Sequence, residues 1–146
     1  MSLNSDDSLE HPHGTILLVD DDPDIRSLAR TFLIHEGYRV FSSGDAERAT
    51  QVFQSVPQID LLITDLYLPN RSGMQLALDL KALREDLPIL MISGISLEPA
   101  HQKQLQHQGW RFLAKPFSLP ELLSTVHLIL AESVVEEVSP VSMSNR

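Results

Sequence analysis

Three aspartates follow one another at Asp20, Asp21 and Asp22, where the apolar run "TILLVD" ends, and a fourth stands at Asp24. Two full charges about 4 Å apart repel by roughly 4 kcal/mol at an effective dielectric near 20, so such a cluster asks for a cation. Reactive side chains close other runs as well: Asp65 ends "DLLITD", Ser93 ends "PILMIS" and Lys115 follows "RFLA", while "YRVFS" offers only Ser42 and Ser43. Brought to one edge, Asp20, Asp21, Asp65, Ser93 and Lys115 make a hard-cation site with a nucleophile and an anion clamp. Mg²⁺ takes one or two carboxylates together with water and phosphate oxygens, which suits this set, with Mn²⁺ as the alternative. Asp22 and Asp24 read differently, as a helix N-cap and a favourable first-turn charge.

Those five runs, beginning at residues 15, 38, 60, 88 and 111, are the expected strands. The first, third and fourth lack in-out alternation, as parallel strands covered on both faces do. Helical patterns separate and follow them. In the first, Ile25, Leu28, Ala29, Phe32 and Leu33 recur at helical spacing, with Asp22 and Pro23 opening the helix and Gly37 closing it. The last places Leu119, Leu122, Leu123, Val126, Ile129 and Leu130 on one face. Helices are also expected over about 45–54, 72–84 and 98–108; "HQKQLQHQ" in the last of these is nearly all polar and should give the loosest helix. Strand and helix alternating five times imply a doubly wound α/β fold with a parallel sheet and helices on both faces. Ligands in such sheets bind at the carboxyl ends of the strands.

Composition narrows the function classes. A chain of 146 residues with 42% hydrophobic residues suits one domain, expected over 14–132. Residues 1–13 and 133–146 read as tails, the second as a tail or a truncated linker. A net charge of -9 gives no electrostatic footprint for nucleic acid, and no apolar run approaches 18 residues, so neither nucleic acid nor membrane insertion is expected. The absence of cysteine fits a reducing compartment, with the cytoplasm as the default location.

The segments "ILLVDDDPDIR", "DLLITDLYLPNRSG", "PILMISG" and "FLAKPF", in this order and spacing, resemble the receiver domains of two-component response regulators over nearly all of Gly14 to Ala131. The resemblance implies a flavodoxin-like sheet of strand order 2-1-3-4-5. It also implies that Asp65 accepts a phosphoryl group from a histidine kinase or phosphotransfer domain, that Asp20, Asp21 and Asp65 bind the metal with the backbone carbonyl of Tyr67, and that Ser93 and Lys115 hold phosphoryl oxygens. Phe112 stands at the place of the family's switch aromatic, without a hydroxyl, and is as readily plain core. Gly94 matches a small residue that leaves the acceptor open, and Pro116 a cis peptide after Lys115. Downstream binding is expected on the face made by the fourth helix, fifth strand and fifth helix, by a monomer or weak homodimer. A carboxylate attacks an anionic phosphoryl group poorly unless cations spread the developing charge, so positioning and electrostatics would carry the catalysis. Finer texture, such as "KPFSLPELL", resembles receivers attached to hybrid sensor histidine kinases.

Two other readings stand beside this one. A receiver-like module that binds a partner without phosphate would not need the intact acid set. A hydrolase of the haloacid dehalogenase type would want an acid two residues after its nucleophile, where this chain has Tyr67. The six histidines show no metal spacing and read as solvated residues. In the family that this chain resembles, the positions two beyond the acceptor and two beyond the hydroxyl residue influence hydrolysis. Here they are Tyr67 and Ile95, bulky and poorly suited to orient water, so the resemblance implies a comparatively long-lived phosphoryl group.

Overall fold

The computed structural model describes residues 13–144. Its sheet contains β1 (Thr15–Val19), β2 (Arg39–Ser43), β3 (Leu61–Asp65), β4 (Ile89–Ser93) and β5 (Arg111–Ala114), all parallel, in the order β2-β1-β3-β4-β5. The helices are α1 (Pro23–His35), α2 (Ala46–Ser55), α3 (Gly73–Leu83), α4 (Pro99–Gln108) and α5 (Leu119–Ser144). Strand order reverses at β1 and β3, so their carboxyl ends open on one crevice.

The apolar strands divide between two cores. Ile16, Leu18, Leu61, Ile63, Leu90 and Ile92 pack with Ala29 and Leu33 of α1 and Leu122, Val126 and Ile129 of α5. Their chain neighbours Leu17, Leu62, Ile89 and Met91 face the other way, onto Ala49 of α2, Leu76 and Leu80 of α3, and Leu105 of α4. Alternate residues of one strand thus feed opposite layers, which is why the runs show no polar face. Every residue of β3 and β4 is buried. Leu28 departs from its expected place in the α1 stripe: its side chain is 59% exposed.

Local chemistry sets the helix starts. Asp22 caps α1 by accepting from the backbone N–H groups of Asp24 and Ile25, at 3.0 and 3.3 Å. Asp45 accepts from Arg48 N–H at 2.8 Å and Ser72 from Gln75 N–H at 3.0 Å. Ser118 and Glu121 bond reciprocally at the start of α5, a capping box. Helix α4 has no side-chain cap and buries only Leu105, as its polar sequence implied.

From residue 133, where a tail or truncated linker was expected, α5 continues to Ser144. Residues 1–12 of the expected N-terminal tail lie outside the described residues, but His13 packs on Tyr38 with ring centroids 5.6 Å apart. Among the described residues no helix is long and apolar enough to cross a membrane.

Candidate functional site at the carboxyl edge of the sheet

The ends of β1, β3, β4 and β5 bring Asp20, Asp21, Asp65, Ser93 and Lys115 to one edge. One carboxylate oxygen from each of Asp20, Asp21 and Asp65 lies within 4.8 Å of the others. Asp20 and Asp65 are buried and Asp21 is exposed. Lys115 Nζ sits 2.9 Å from Asp20 Oδ2 and 2.9 Å from Asp65 Oδ2, joining the two buried acids. One ammonium against three carboxylates leaves negative charge for a further cation to offset. The donor set is all oxygen with one exposed member, which fits a hard ion that keeps part of its water.

Backbone donors orient these acids. Asp22 N–H donates to Asp20 Oδ1 at 2.9 Å, and Tyr67 N–H donates to Asp65 Oδ1 at 3.3 Å. Burial pushes the Asp65 carboxyl above the ordinary carboxylate range; Lys115 and the Tyr67 N–H pull it down and Asp20 adds to the rise. Burial lowers Lys115, but its hydrogen bonds to Asp65 and Asp20, and their charges, outweigh this and leave it above an ordinary lysine. Lys115 therefore stays charged, while burial makes the ionised form of Asp65 costlier than in water.

Ser93 is buried, and its hydroxyl donates to Ile95 O at 3.1 Å while accepting from Ile95 N–H at 3.1 Å. It closes the turn after β4. A hollow of about 560 Å³ separates this turn from β5, lined by Ser93, Leu97, Phe112 and Lys115 among others. Phe112 is partly buried, packed against the core on the α4 side. The Lys115–Pro116 peptide is cis. A Cβ on Gly94 would meet the stem of Lys115 at 3.4 Å, an ordinary contact, so space alone does not demand glycine there.

Several positioning residues escaped the sequence reading. Arg26, on the second turn of α1, donates to Asp20 O at 2.6 Å and braces the acidic loop. Gly73 opens α3 directly against Asp65: a Cβ there would fall 1.9 Å from Asp65 O, so no side chain fits. Asn70 has φ 71°, a left-handed conformation that asparagine tolerates better than most residues. Among the histidines, His35 is exposed beside Glu36, and His127 is exposed with its ring against Tyr38, centroids 6.0 Å apart. His101 departs from the expected solvated state: it is half-buried and meets the ring of Tyr67 edge-on.

This order of five parallel strands, with its reactive groups at the switch point, defines a doubly wound protein of the chemotaxis-regulator type. The chain belongs to the response regulator receiver domain family, whose model matches residues 16–127. It is 32% identical over 129 residues to the DNA-binding transcriptional regulator NtrC of Bradyrhizobium sp. (strain RP501 Parasponia), covering 88% of this chain and 27% of that protein. It is 34% identical over 120 residues to the transcriptional regulatory protein CpxR of Escherichia coli (strain K12), covering 81% and 50%. The chain thus spans half or less of either relative. A receiver domain protein from Methanospirillum hungatei JF-1 superposes with a TM-score of 0.79 at 25% identity, covering 84% of this chain and 98% of that one. The receiver domain from the hybrid histidine kinase CckA superposes at 0.68 with 30% identity, covering 80% and 99%. The chain is therefore a receiver domain of the two-component kind.

Proposed function

We propose that Asp65 is the phosphoacceptor of this receiver, taking its phosphoryl group from a phosphohistidine of a histidine kinase or phosphotransfer domain. The observation that carries the reading is Lys115 Nζ bridging the Asp20 and Asp65 carboxylates at 2.9 Å each, with Asp21 completing the acid group. An oxygen of Asp65 bonds to phosphorus as the P–N bond of the donor imidazole breaks, and the leaving electron pair stays on the ring nitrogen. Asp20, Asp21, Asp65 and the carbonyl of Tyr67 would hold Mg²⁺, or Mn²⁺, which neutralises phosphoryl oxygens when bound. Lys115 exchanges a carboxylate oxygen for a phosphoryl oxygen. Tyr67 N–H keeps the other Asp65 oxygen oriented.

Ser93 supplies the response. Its hydroxyl leaves Ile95 O to donate to the phosphoryl group, which frees the turn after β4, and the hollow beside Phe112 gives that turn and ring room to repack. Phe112 acts through packing alone. The altered surface is the α4-β5-α5 face, where Leu97, Leu105, Trp110, Phe112 and Ala131 line a groove of about 800 Å³ for a downstream protein. A kinase donor supports a cytoplasmic location for the domain. The charge of -9 disfavours direct contact of this domain with nucleic acid.

Intact-mass measurement after incubation with acetyl phosphate tests this, with and without Mg²⁺, on the wild type and Asp65→Asn. The expected result is a metal-dependent gain of one phosphoryl group that the substitution abolishes. A folded wild type that gains nothing would favour a module that binds its partner without phosphate.

A further inference from the structure

Tyr67 touches two parts of the molecule at once. Its backbone N–H donates to Asp65 Oδ1 at 3.3 Å. Its ring meets His101 edge-on, with centroids 5.9 Å apart at 74°, and its hydroxyl lies 3.5 Å from His101 Nδ1. His101 belongs to α4 and stands four residues before Leu105, the one buried residue of that helix, so both occupy the same face. Helix α4 has no side-chain cap. The contact with Tyr67 is one of the side-chain ties on its first turns, beside the bond from Gln102 Nε2 to Leu97 O at 3.3 Å. The polar sequence of α4 would otherwise leave His101 as one more solvated side chain.

We infer that His101 is a positioning residue of the acceptor site, acting through Tyr67 to hold the backbone donor that orients Asp65 and to tie α4 to the loop after β3. The inference rests on the phosphoacceptor reading. It gives this receiver a second route from the acceptor to α4, besides the one through Ser93 and Phe112. The route has physical content here because Phe112 carries no hydroxyl, whereas Tyr67 does and has a partner for it. Any shift of the Tyr67 backbone as Asp65 is esterified pulls on His101, and any force on α4 reaches the acceptor by the same contact.

The test combines His101→Ala, Tyr67→Phe, the double variant and His101→Phe in the full chain. Two quantities are read at one pH: hydrogen exchange of the α4 amides in the unphosphorylated protein, and the rate of phosphoryl uptake from acetyl phosphate with Mg²⁺. His101→Ala is expected to lower α4 protection about two- to tenfold, the range of an edge-to-face ring pair. Uptake is expected to slow by a similar factor while final stoichiometry stays the same. In the double variant the losses fall short of the sum of the single ones, and His101→Phe restores part of both by restoring the ring. Unchanged α4 protection, additive losses, or an unchanged uptake rate in His101→Ala overturns the positioning role alone. A wild type that accepts no phosphate overturns the phosphoacceptor reading and the positioning role together.

Discussion

At the scale of single residues, the acceptor edge is a balance between burial and charge. Lys115 is the resident cation of a group whose members are otherwise all acids. Replacing it by methionine strands two buried carboxylates, and a loss of about 3 kcal/mol is expected in metal-free urea unfolding. Mg²⁺ should recover part of that loss, since it offsets the same charges; equal losses with and without the ion would mean that the acids do not share a cation site. Asp65→Asn should act in the opposite sense. Burial raises the Asp65 pKa, so ionising it in the folded protein costs stability at neutral pH, and the neutral amide should raise the metal-free urea midpoint. Tyr38 supplies the alkaline counterpart, its pKa lifted from 10.0 by burial and then by Glu36. Above about pH 10 the unfolded chain sheds that proton while the folded one keeps it, so stability falls as pH rises. Unfolding curves on either side of pH 10 should show a smaller alkaline loss for Tyr38→Phe than for the wild type.

At the scale of elements, the site depends on how closely α3 approaches the end of β3. Gly73 N–H donates to Leu66 O at 2.7 Å, and the absent side chain makes room for Asp65 O. Gly73→Ala must push the acceptor strand and the helix apart. A loss of about 3 kcal/mol is expected, with phosphoryl uptake slowed on the order of tenfold to a hundredfold by misplacement of the carboxylate. Thermal unfolding and the uptake assay would read these separately. A stable variant of normal rate would mean that the loop adjusts without cost. Sequence alone signalled a helix start at Ser72 but not this approach, because a glycine's role depends on what lies opposite it. The same holds for Arg26, whose partner is a backbone carbonyl and carries no sequence signature.

At the scale of the whole molecule, stability is unevenly spread. Strands β3 and β4 are buried throughout, with a core on either face, while α4 lies on the surface with Leu105 as its single buried residue. Native-state hydrogen exchange should therefore open α4 first and β3 and β4 only on global unfolding. Equal protection of α4 and the central strands would contradict this ordering. The uneven spread suits the proposed switch, in which a rigid sheet holds Asp65 and the helix with a single buried residue takes part in the response.

The sequence by itself determined the fold class, the strand ends that carry Asp20, Asp21, Asp65, Ser93 and Lys115, and the cap at Asp22. These are local matters: hydrophobic periodicity, turn chemistry and side chains one residue past a strand are all written along the chain. Tertiary structure alone decided that Lys115 joins two acids, that Gly73 lies against Asp65 O, that Leu28 stays exposed, and that His101 reaches Tyr67. Most of these depend on which elements become neighbours once the sheet is wound. Periodicity says which face a residue occupies, whereas packing decides what that face meets.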